Sequence, residues 1–145
     1  MRALPLTREK DGALLATVQL AETFWTRFRG LMLTPPLAAE GGLWLKPCDS
    51  VHMLFMRYPI DVVFARRAGE AGDGGVRAEV LAVKQRVLPW LGMAWCRKAT
   101  IAIELAAGRA AEFGVQAGDT LRLGPLRDAE QESQGASLQG REVEA

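Results

Sequence analysis

Apolar and polar residues alternate with a period of two along much of the chain, and this predicts short strands. Ala13 to Leu20 ends with Ala16, Val18 and Leu20 set against Thr17 and Gln19, the signature of a half-buried strand. Ala99 to Leu105 splits in the same way, with Ile101, Ile103 and Leu105 on one face and Thr100, Ala102 and Glu104 on the other. Leu43 to Leu45 after Gly41-Gly42, Val51 to Met56, Ile60 to Phe64, Val76 to Val83 and Leu121 to Leu123 predict further strands. Tyr58-Pro59 should interrupt one of them, because proline removes a ladder donor. Ala68 to Gly75 is rich in glycine and charge and predicts an exposed hairpin loop. Helical spacing shows only at Phe24, Phe28, Leu31 and Met32, ahead of the stop at Pro35-Pro36, with one or two turns expected between Gly108 and Gly114. The fold expected is mainly β, a compact sandwich or barrel with one or two short helices.

A chain of 145 residues can bury a core without disulfides or metal. Residues 1–126 are expected to form a single β-rich domain. Residues 127–145, among them Gln131 to Gly140, have almost nothing to bury and are expected to be a disordered tail. That tail holds two basic and five acidic residues, which leaves 16 basic against 12 acidic in the body. The excess is mild, and no basic run interleaves with aromatics, so no nucleic-acid partner is expected. The first ten residues lack a continuous apolar stretch of the secretory kind, and nothing approaches the ~20 apolar residues of a membrane span. A cytoplasmic location is expected. Cys48 and Cys96 then read as two thiols.

The densest chemistry lies between Val51 and Phe64. This stretch carries the only histidine and the only tyrosine, with Arg57 and Asp61 interrupting apolar runs. Each polar group there must find a partner or face water. His52, Met56, Arg57 and Asp61, with Trp90, are the candidate ligand-binding residues. His52 with Asp61 could also serve as a hydrolase-like general base pair. Cys48, His52, Met53 and Met56, with Met93 and Cys96, are soft ligands of the kind Cu(I) prefers. A strand would place His52 and Met56 on one face and Met53 on the other, so no metal site and no cofactor is expected. Trp44, Trp90, Trp95, Phe55 and Tyr58 could stack on a ligand. Trp90 to Trp95 is too apolar for a solvated loop, and reads equally as a lid on the core or as an exposed apolar patch. The functional expectation is a module that binds a small molecule or peptide in a polar cleft, with a His–Asp hydrolase or a copper protein as the alternatives.

Four blocks in order complete the picture: Arg27-x-Arg29-Gly30-Leu31-Met32; Val51 to Phe64; Ile103-Glu104-Leu105-x-x-Gly108; and Gly114-Val115-x-x-Gly118-Asp119. Together they resemble the domain-of-unknown-function 192 family from about Ala16 to Leu123. The resemblance implies a compact, jelly-roll-like β fold and no particular activity. Many members carry Trp-Met-Lys-Asn-Thr where this chain has Phe55-Met56-Arg57-Tyr58.

Overall fold

The computed structural model describes residues 3–21, 38–48, 50–52, 58–89 and 92–125. Seven strands close into a barrel: β1 (Ala3–Arg8), β2 (Leu14–Ala21), β3 (Gly41–Leu45), β8 (Ile101–Ala106), β5 (Ile60–Glu70), β6 (Val76–Val87) and β9 (Thr120–Leu123), in that order around the wall. Pairing is antiparallel except between β2 and β3. Closure removes the open sheet edges that would invite aggregation. A separate two-stranded ribbon joins β4 (Ser50–His52) to β7 (Met93–Trp95). The helix α1 (Arg109–Phe113) falls where one or two turns were expected, between Gly108 and Gly114. The helix expected at Phe24 to Met32 lies outside the described residues, as does the tail. No described helix is long and apolar enough to cross a membrane.

The alternation in β8 is borne out, but both of its faces are buried. Ile101, Ile103 and Leu105 point into the barrel with Leu6, Val18, Trp44, Val63, Val80 and Leu121. Ala102 points outward, into a second cluster with Leu43, Leu45, Val62, Phe64, Val87 and Ala94. The wall formed by β3, β8 and β5 therefore separates two apolar clusters, and the ribbon strand β7 covers part of the outer one through Ala94. Close packing of this wall requires glycine at position 42. A Cβ there would stand 2.9 Å from Val18 Cγ1 and 3.0 Å from the Glu104 carbonyl oxygen.

Three strands of the barrel differ from the sequence pattern. β1 was not expected, because Pro5 and the charges at Arg8 and Glu9 interrupt its alternation, yet Leu4 and Leu6 are buried and pair with β2. β5 continues to Glu70 and shortens the expected hairpin loop to residues 71–75. β6 continues past Val83 through Lys84, Gln85 and Arg86 to Val87. Arg86 adopts a positive φ of 51° there, a conformation that a non-glycine residue holds only with outside support.

That support comes from Asp61, which is fully buried. Its Oδ1 accepts the Arg86 backbone N–H at 2.9 Å. Its Oδ2 accepts the N–H groups of Gly108 at 3.1 Å and Ala110 at 2.9 Å. Gly108 is the N-cap of α1 and has no side chain to satisfy the first helical donors. Asp61 supplies that cap from a strand 47 residues earlier in the chain. One carboxylate thus ties the end of β6 and the start of α1 to β5.

Candidate functional site

The outer cluster opens to solvent at the end of β6. Gly92 donates its N–H to the Leu88 carbonyl at 3.0 Å, closing the turn that leads into β7. A Cβ at Gly92 would collide with the Leu88 backbone, so only glycine fits this turn. β7 then alternates: Ala94 packs inward, while Met93 and Trp95 point to solvent. The result is a groove of about 430 Å³ lined by Lys84, Val87, Leu88, Gly92, Met93, Ala94 and Trp95. That volume lies in the range of small-ligand sites, which run roughly 300–1,000 Å³. Leu88, Met93 and Trp95 remain 62%, 64% and 65% exposed. Burying such side chains would stabilise the fold by roughly 1.5–3 kcal/mol each, so a cluster of three left in water points to a contact surface.

The chain segment that forms this groove carries charge of one sign. Between Glu79 and Glu104 the chain carries Lys84, Arg86, Arg97 and Lys98 and no acidic residue. Lys84, Arg97 and Lys98 are exposed and make no ion pair with another described residue. The opposite end of β6 is different. Arg77 pairs with Glu9 at 2.7 Å, Arg66 with Glu79 at 2.9 Å, and Arg122 with Asp73.

A further ionisable group lies on the same outer face. Glu104 stands in register between Leu43 of β3 and Val62 of β5, and Val62 pairs in turn with Lys84. Glu104 is only 5% exposed, and its Oε2 has no hydrogen-bond partner among the described residues. Burial pushes its carboxyl up to about 7, because the charged form loses hydration with no compensating donor. Sequence reasoning placed Glu104 on the face opposite Ile101, Ile103 and Leu105 but did not single it out. An unpaired carboxylate in an otherwise apolar row (Ala102, Glu104, Ala106) was the available signal.

Of the expected site residues, the structure describes His52 and Asp61. Asp61 lies on the barrel side of β5, with both oxygens engaged by backbone donors. His52 is the last residue of β4 and stands opposite Met93 in the ribbon register, which places it beside the groove. Met56, Arg57 and Trp90 lie outside the described residues, although Trp90 falls in the chain between two groove-lining residues, Leu88 and Gly92. Trp44, considered for ligand stacking, is instead 3% exposed in the barrel interior. Asp119 accepts the Gln116 N–H at 3.0 Å and closes its own turn. Cys48 and Cys96 are thiols packed beside the outer cluster. Among the described residues, no three His, Cys, Asp or Glu side chains converge as metal ligands.

Comparison with known proteins agrees with this fold. The profile of the DUF192 family, described as an uncharacterized ACR, matches residues 6–123. A UPF0127 protein of Thermococcus sibiricus (strain DSM 12597 / MM 739) is 36% identical over 73 residues, which is 47% of this chain and 47% of that protein. The match thus spans about half the length of this curated relative. A crystal structure from Sinorhizobium meliloti 1021, named as a candidate transcription regulator, superposes with a TM-score of 0.66 at 24% identity, over 86% of this chain and 94% of that one. A protein of unknown function from Novosphingobium aromaticivorans DSM 12444 superposes with a TM-score of 0.64 at 21% identity, over 82% of each chain. At these identities the two structures speak to the fold alone.

Proposed function

We propose that this chain, which belongs to the DUF192 family, is a binding module that takes a small amphipathic molecule or an apolar peptide side chain in the groove between Lys84 and Trp95. The observation that carries the reading is the open groove itself. Val87 and Ala94 form its apolar floor, Leu88, Met93 and Trp95 its exposed rim, and Lys84 a charged wall. A ligand with an apolar body and one anionic group matches that set, since the body covers the rim and the anion meets the ammonium group. The groove is more apolar than the polar cleft expected around His52 and Asp61. The backbone bonds of Asp61 weigh against a His52–Asp61 catalytic pair, because a general base pair needs a carboxylate oxygen free to orient the imidazole.

Calorimetric titration with decanoate, a single-chain carboxylate, tests this reading. Saturable binding is expected, abolished in the Leu88→Ser/Met93→Ser double variant and weakened in Lys84→Glu. Binding that is absent, or indifferent to these substitutions, overturns it.

A further inference from the structure

We infer that the groove face docks on an anionic lipid bilayer, with Leu88, Met93 and Trp95 entering the headgroup region and Lys84, Arg97 and Lys98 lying against lipid phosphates. The inference rests on the binding reading of the same groove and names its partner.

The apolar content supports it first. Leu88 to Trp95 is eight residues long, has no charged residue, and holds two of the four tryptophans of the chain. Leu88, Met93 and Trp95 are each more than three-fifths exposed, so they project from the rim and do not fill the groove. Projecting anchors need a partner that can accept them. A rigid protein partner must carry pockets of matching shape, whereas a bilayer interface accepts apolar side chains of any shape. Tryptophan suits that depth, with its ring among acyl carbons and its N–H toward water and headgroups.

Charge completes the argument. Lys84 lines the groove, and Arg97 and Lys98 occupy the turn that directly follows β7. No acidic residue intervenes between positions 80 and 103. At the far end of the barrel, Arg66, Arg77 and Arg122 are neutralised by Glu79, Glu9 and Asp73. An apolar rim whose own chain segment carries only basic charge is attracted to anionic lipid, and each base near such a surface strengthens binding by ~5-fold at low salt.

The full chain is sedimented with vesicles of phosphatidylcholine alone and of phosphatidylcholine mixed with phosphatidylglycerol. Binding is expected to the anionic vesicles only, reversed by high salt, lost in Met93→Ser/Trp95→Ser and reduced ~5-fold in Lys84→Gln. These positions are exposed, so the variants should keep their fold, which a thermal melt confirms. Equal partitioning onto both vesicle types overturns the electrostatic half of the inference. If decanoate binds but no vesicle does, the groove reading stands and the bilayer inference falls. If neither binds, both fall. A dimer in solution that Trp95→Ser dissociates, or an acidic peptide that binds the groove when vesicles do not, also overturns it by naming a protein as the occupant.

Discussion

Asp61 and Glu104 lie one register step apart on neighbouring strands, and the wall of β5 and β8 turns them to opposite sides. On the barrel side, Asp61 is saturated by three backbone donors that hold β6 and α1 in place. On the outer side, Glu104 is almost as buried but has a bare oxygen, and its face runs on to the groove with its exposed apolar rim. The same contrast holds for the basic residues, which are paired with acids toward the start of β6 and, among the described residues, unpaired toward its end. At the paired end the Arg8 guanidinium holds the Asp11 carboxyl down at about 2. A polar group inside a barrel must be satisfied for the barrel to close. A face that lacks such satisfaction is where selection for something other than stability leaves its mark.

The largest expected effect is at Asp61. Asp61→Ala leaves three backbone N–H groups without their acceptor, and urea denaturation should show a loss of about 4 kcal/mol. Asp61→Asn retains one acceptor oxygen and should lose less. A change below ~1 kcal/mol for the alanine variant would remove Asp61 from its structural role.

Glu104 should behave in the opposite sense. Its folded value is raised from 4.5 to about 7. As pH rises past 4.5 the unfolded chain ionises while the folded carboxyl stays protonated. Stability should therefore fall by about 3 kcal/mol up to pH ~7 and level off above. Glu104→Gln should flatten that slope and leave the protein more stable than the parent at pH ~8. A variant less stable than the parent at that pH would show that the charged carboxylate is satisfied, and the contrast with Asp61 would disappear.

At the rim the expected effect on stability is small. Trp95→Ser should change the unfolding free energy by less than ~0.5 kcal/mol, since its side chain stands mostly in water. A loss above ~2 kcal/mol would mean that Trp95 packs as core, which would break the reading of the outer face as a contact surface. The smallest effect is expected for removal of residues 127–145. That segment is rich in Glu, Gln, Ser and Gly, and its loss should leave Tm within about 1 °C. A drop of several degrees would mean that it docks on one of the two regions compared above.

The strands around the candidate site were largely legible, since period-two patterns in β2 and β8 specify which residues share a face whatever the fold around them. β1 was hidden by Pro5, and the end of β6 by Lys84, Gln85 and Arg86, whose conformation depends on an acceptor 25 positions earlier. The groove was half legible, because the run from Trp90 to Trp95 was too apolar for a solvated loop. For its described part, Met93 to Trp95, Gly92 and the β4–β7 pairing turn Ala94 to the core and the other two residues to solvent. By itself, then, the sequence determined the β class, the family, and the fact that Asp61 and Glu104 stand on β-patterned strands. Only the tertiary structure decided that both faces of β8 are buried, that Asp61 meets donors 25, 47 and 49 residues away, and that Glu104 Oε2 meets none among the described residues. The physical reason is that alternation is a local property of the backbone, whereas the solvation of a buried charge depends on whichever distant groups the closed barrel brings beside it.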